Sequence, residues 1–96
     1  MNSELQRIVD ASRSPGWSVG EGQVGQIMAT FETNDIGMPW VVIAAKRGKG
    51  MKVSLYAPGD DVTVEGEEIG EISGSPREQG KQLREILEGV KSDKGL

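Results

Sequence analysis

Apolar residues recur at helical spacing at the two ends of the chain and at alternate positions between them. Near the start, Leu5, Ile8 and Val9 share a helical face, and Ser3 and Gln6 are spaced as a capping box, which predicts a short amphipathic helix. Ser14-Pro15-Gly16 stops it, because the residue before a proline is pushed out of the α region and glycine tolerates the turn that follows. At the other end, Ser75, Pro76 and Glu78 supply a cap, a first-turn proline and the closing acid of a second box. Leu83, Ile86, Leu87 and Val90 then form one apolar stripe, with Lys81/Glu85 and Arg84/Glu88 as i,i+4 pairs of opposite sign on the wet side. Gly80 falls on the stripe side. Glycine there costs about 1 kcal/mol of helix propensity, so the helix is expected to pass close to another backbone at that point.

Between the helices the period is two. Ile27, Ala29 and Phe31 alternate with Gln26, Met28 and Thr30, although a short helix over 26–33 is a rival reading because Ile27, Met28 and Phe31 also share a helical face. Trp40 to Ala45 is apolar on both parities, which predicts a central strand covered on both sides. Val53 and Leu55 alternate with Lys52, Ser54 and Tyr56. Gly48-Lys49-Gly50 predicts the turn between those two strands, and Pro58-Gly59 suits a type II turn. Glu65-Gly66 is expected to close a short hairpin from Val62–Val64 to Ile69–Ile72. Residues 16–25, with glycine at 16, 20, 22 and 25, read as a bulged strand or as a mobile loop. The expectation is one α+β domain over residues 1–96: an N-terminal helix, an antiparallel meander of four to five strands, and a C-terminal helix, with the helices on one sheet face.

Composition narrows the chemistry more than the fold. The 96 residues contain no His and no Cys, the side chains on which most catalytic and transition-metal sites depend. No serine has a His partner or a Ser-x-x-Lys spacing, and the acidic residues do not follow the EF-hand pattern. The expectation is therefore no enzyme, no catalytic residue, no metal and no cofactor. A cysteine-free chain with a polar start and no apolar run of membrane-spanning length reads as soluble and cytoplasmic, with no membrane partner.

The net charge of −4 is distributed in blocks. Lys46, Arg47, Lys49 and Lys52 stand in a stretch without acids. Asp60, Asp61, Glu65, Glu67, Glu68 and Glu71 follow in a stretch without bases. Consecutive and opposite in sign, the two stretches are placed to pair across adjacent strands. Gly20-Glu21-Gly22-Gln23-Val24-Gly25 has the form G-x-G-x-x-G, and Val19 to Ile27 followed by Val42-Ile43-Ala44-Ala45-Lys46 resembles the Gly-rich loop and lysine-bearing strand of protein kinases. That resemblance implies phosphate binding by the loop and Lys46. It covers less than a third of the chain, with no H-R-D or D-F-G motif after it, and the competing reading is a glycine-permitted turn with bulges.

With chemistry scarce and charge segregated, the leading expectation is a small non-enzymatic protein-interaction module that binds a protein partner or itself, as an adaptor or inhibitor would. Its partner-binding candidates are Trp17, Lys46, Arg47, Lys49, Lys52, Asp60, Asp61, Glu67 and Glu68, with Trp17 read either as a lid on the core or as an exposed anchor. The alternative is a nucleic-acid-binding domain that uses the basic hairpin 46–52.

Overall fold

The computed structural model describes residues 3–23, 25–32 and 37–96. Helix α1 (Ser3–Ser12) leads into strands β1 (Ser18–Glu21), β2 (Gln26–Phe31), β3 (Trp40–Arg47), β4 (Gly50–Tyr56) and β5 (Glu67–Ile72), and helix α2 (Pro76–Asp93) ends the chain. The strands form one antiparallel sheet in the order β1-β2-β3-β4-β5, so neighbours in sequence are neighbours in space. This is the α+β meander expected, with five strands. The period of two prevails over the rival helix, since 26–31 pairs with β3 from Gln26↔Ala45 to Phe31↔Trp40. Residues 18–21 of the Gly-rich region form an edge strand rather than a loop, in register with β2 from Ser18↔Thr30 to Glu21↔Ile27.

Turn chemistry sets the central register. Gly48 has φ +62° and Lys49 does not have positive φ, the combination of a two-residue II′ turn, and Arg47 faces Gly50 across it. At the other end of β4, Gly59 has φ +90° behind Pro58, and the Asp60 N–H donates to the Ala57 carbonyl at 3.0 Å, which is the expected type II turn.

Both helices lie on one face. Leu5, Ile8 and Val9 of α1 and Leu83, Leu87 and Val90 of α2 are buried against Ile27, Ala29, Val42, Ala44, Val53, Leu55 and Ile72. Ser75 caps α2 as predicted: its Oγ accepts from the Glu78 N–H at 3.2 Å, and the Glu78 carboxylate accepts from the Ser75 N–H at 3.1 Å. The matching role expected of Ser3 lies outside the described side chains. Gln82 fastens α2 to the end of β5 by accepting from the Ser73 N–H at 3.0 Å and donating to its carbonyl at 2.9 Å.

The close approach inferred at Gly80 is present. A Cβ there would collide with the Cβ of Ala11 and lie 2.8 Å from the Ile8 carbonyl oxygen, so the missing side chain is what lets α2 cross α1 at that distance.

One expected element is absent. Val62–Val64 is not a strand, and β5 pairs with β4 instead, from Met51↔Ile72 to Leu55↔Glu67 with a bulge opposite Val53 and Ser54. The cause is local. Asp61 Oδ1 accepts from both the Thr63 N–H (2.9 Å) and its hydroxyl (2.6 Å), while Asp60 Oδ2 accepts from the Ala57 N–H (2.9 Å). Side-chain bonds of this kind hold the backbone in turns and compete with strand pairing.

Two glycines of α2 give opposite outcomes for one substitution. Gly80→Ala gains about 1 kcal/mol of helix propensity but collides with α1, and is expected to lose about 1–2 kcal/mol net of unfolding free energy. Gly89→Ala meets nothing within 4 Å and is expected to gain up to about 1 kcal/mol. Urea denaturation of both variants reads the signs; a stabilising Gly80→Ala would contradict the tight crossing.

Candidate functional site

The sheet face opposite the helices carries a second, smaller core. Val41, Ile43 and Tyr56 are buried there, with Met28 packed against them. Neither α1 nor α2 covers this face. Residues 57–66, which join β4 to β5, fold back over it, and the Tyr56 hydroxyl fastens them by donating to the Val64 carbonyl at 2.8 Å. A Cβ on Gly66 would fall 2.7 Å from the Tyr56 ring, so the connection lies directly on the aromatic face.

The connection forms a ridge with a cleft on each side. One cleft, of about 390 Å³, runs between the ridge and the β1–β2 hairpin over Met28, Ile43 and Ser54. The other, of about 370 Å³, opens toward Trp40, Glu67 and Lys94. Tyr56, Val64, Glu65 and Gly66 line both. Three large hydrophobic side chains stand exposed among the described residues: Met38 (49%), Val62 (39%) and Val64 (57%). Two are on the ridge, and the third lies beside it, where a Cβ on Gly59 would touch the Met38 sulfur at 3.6 Å. Asp60, Asp61, Glu65 and Glu67 surround them, all exposed.

The basic hairpin divides between the two faces because side chains alternate along a strand. Lys46, opposite the core residue Met51, belongs to the helix side. Arg47 and Lys52 belong to the far side, where β5 presents carboxylates. Arg47 bonds Glu68 at 2.9 Å and also bonds Glu71, and Lys52 lies 3.4 Å from Glu65. The cross-strand pairing expected from the blocks of charge therefore occurs, and it engages Arg47, Lys52 and Glu68. Lys46 and Lys49 make no ion pair among the described residues.

Trp17 is a lid on the core. It is 7% exposed and packs edge-to-face with Phe31 at 5.3 Å, which removes it from the accessible candidates. Asp60, Asp61 and Glu67 fall beside the apolar ridge, whereas the four hairpin cations do not share one surface. Sequence reasoning missed Val62 and Val64 as surface residues by placing them in a strand. The signal was the Asp61-x-Thr63 spacing, which favours an Asx turn. Among the described residues no group of acids is arranged to hold a metal ion, and no helix is long and apolar enough to cross a membrane.

Hydrogen bonding to Arg47, and then its charge, holds the Glu68 carboxyl below the usual glutamate range; the Arg47 guanidinium is held firmly protonated. A carboxyl lowered by folding stabilises the fold fully above its unfolded value, and that contribution disappears as pH falls through the lowered folded value. The stability difference between wild type and Arg47→Gln is therefore expected to be largest near neutrality and to shrink below about pH 4. Urea midpoints across that range test it; a difference independent of pH would assign the effect to packing of the arginine stem.

Comparison with protein-family models, with curated proteins and with solved structures gives no match to this chain, so the reading of its surface rests on its own geometry.

Proposed function

We propose that this chain is a non-enzymatic protein-interaction module that binds its partner on the 57–66 ridge and the clefts beside it. The observation that carries the reading is the coincidence of all three exposed large hydrophobics of the described residues, Met38, Val62 and Val64, on or against one connection. Exposed apolar clusters ringed by polar groups mark interaction sites, since leaving them in water forgoes burial at roughly 25 cal/mol per Å². The ring is acidic, through Asp60, Asp61, Glu65 and Glu67. The partner that complements it is a segment of another protein with aliphatic side chains for the clefts and Lys or Arg for the rim.

A module without His or Cys suits an adaptor or inhibitor more than an enzyme, and a cysteine-free chain suits the reducing cytoplasm. Nucleic-acid binding by the hairpin 46–52 has less support. Its cations point to two faces, and Arg47 and Lys52 already have carboxylate partners.

Selection from a random-peptide display library tests the proposal. Enrichment of aliphatic peptides rich in Lys and Arg is expected, with binding that weakens as salt rises and is lost in Val62→Ser/Val64→Ser. Enrichment indifferent to those two substitutions would refute the site. Concentration-dependent dimerisation abolished by the same pair would make the occupant a second copy.

A further inference from the structure

The hairpin cations differ in a way that the acidity of the chain does not explain. With fifteen acids against eleven bases, Arg47 and Lys52 have carboxylate partners, but Lys46 and Lys49 have none among the described residues. These two lysines line the same cleft, of about 370 Å³, on the helix side of the sheet and away from the 57–66 ridge. It lies between the β3–β4 turn and the entries to both helices, and its volume is in the range of small-ligand pockets, roughly 300–1,000 Å³.

The walls favour a ligand with an anionic head and an organic body. Around the lysines the lining is glycine backbone, at Gly25, Gly48 and Gly50, and a Cβ at Gly25 or Gly48 would meet nothing within 4 Å, so that side is open to an incoming group. Leu5, Ile8 and Pro76 supply apolar surface opposite. Gln79, 8% exposed, sets a buried amide in the wall; one N–H goes to the Gly74 carbonyl at 2.9 Å and the other has no partner among the described residues. Glu4, the one acid of the lining, is exposed and has an interaction partner of its own. At the start of α2 the Ser75, Glu78 and Gln79 N–H groups are already engaged, by the Glu78 carboxylate, the Ser75 hydroxyl and the Ser75 carbonyl, and Pro76 has no N–H to offer. Recognition therefore rests on the lysine pair.

Two ammonium groups match a dianion. A carboxylate monoanion would leave one of them unpaired, whereas a phosphomonoester carries about −1.5 to −2 at neutral pH with three acceptor oxygens. We infer that this cleft binds a small phosphate-bearing ligand, with Lys46 and Lys49 as its counterions, Gln79 as a hydrogen-bond donor, and the organic part of the ligand against Leu5 and Ile8. The site is independent of the interaction ridge.

The test is an amide-resolved NMR titration of the full chain, at constant ionic strength, with inorganic phosphate, a nucleoside monophosphate, acetate and a short single-stranded oligonucleotide. Saturable shifts are expected at Gly48, Lys49, Gly50 and the Gln79 side chain with the two phosphate compounds, tighter for the nucleotide, and not with acetate. Losing two charge-assisted hydrogen bonds should weaken nucleotide binding more than about tenfold in Lys46→Gln/Lys49→Gln. Lys81→Gln, on the exposed face of α2, should match wild type, and the amide spectrum verifies that each variant is folded. An equal response to acetate, or binding that survives the double substitution, would overturn the inference. Binding of the oligonucleotide alone would also overturn it, replacing the small-ligand site with a polynucleotide surface.

Discussion

Every residue of β4 except Lys52 is buried, and that two-sided burial is the constraint on which the architecture depends. Val53 and Leu55 need cover on one face of the sheet, Ser54 and Tyr56 on the other. Both helices of the described residues are committed to the first face, where the gap at Gly80 lets them lie side by side. The second face is closed by irregular chain, the 57–66 connection fastened over Tyr56. A single layer of chain can turn its apolar groups only one way at a time. Gly66 lies on the tyrosine ring, and Val62 and Val64 remain in water. The exposed ridge that carries the proposed function is thus a by-product of how the second face is covered.

The same geometry sorts the charges. Adjacent residues on a strand point to opposite faces, so Lys46 and Arg47 are separated by the sheet although they are neighbours in sequence. On the far face, register sets Glu71 opposite Lys52 and Glu68 opposite Ser54, within reach of Arg47. Exposed pairs of this kind contribute modestly to stability. Their larger consequence is to neutralise that half of the hairpin. On the helix face β5 places Glu67 opposite Leu55, at the end of β4 remote from the hairpin, so Lys46 and Lys49 stand beside a cleft with no carboxylate partner among the described residues.

The local parts of the fold were legible because local physics decides them. The box around Ser75, the turn at Gly48-Lys49-Gly50, the type II turn at Pro58-Gly59 and the two-residue period of β2 and β4 each follow from steric or hydrogen-bonding preferences within a few residues. Gly80 was also readable, since a glycine on the buried stripe of a helix needs a packing reason. Val62–Val64 was misread because alternation describes which side chains could share a face, whereas strand formation also requires a free neighbour. The neighbour, β4, pairs with Glu67–Ile72 instead, and Asp60 and Asp61 hold their own segment in turns.

By itself the sequence determined the α+β class, the two flanking helices, the antiparallel order, the start of α2 and the absence of histidine and thiol chemistry, all of which depend on residue identity and short-range spacing. Only the tertiary structure decided that Trp17 is buried, that Val62 and Val64 are exposed, and which hairpin cations have carboxylate partners. Those outcomes turn on which side of the sheet each residue faces and what lies across from it, and a pattern along one dimension does not contain that information.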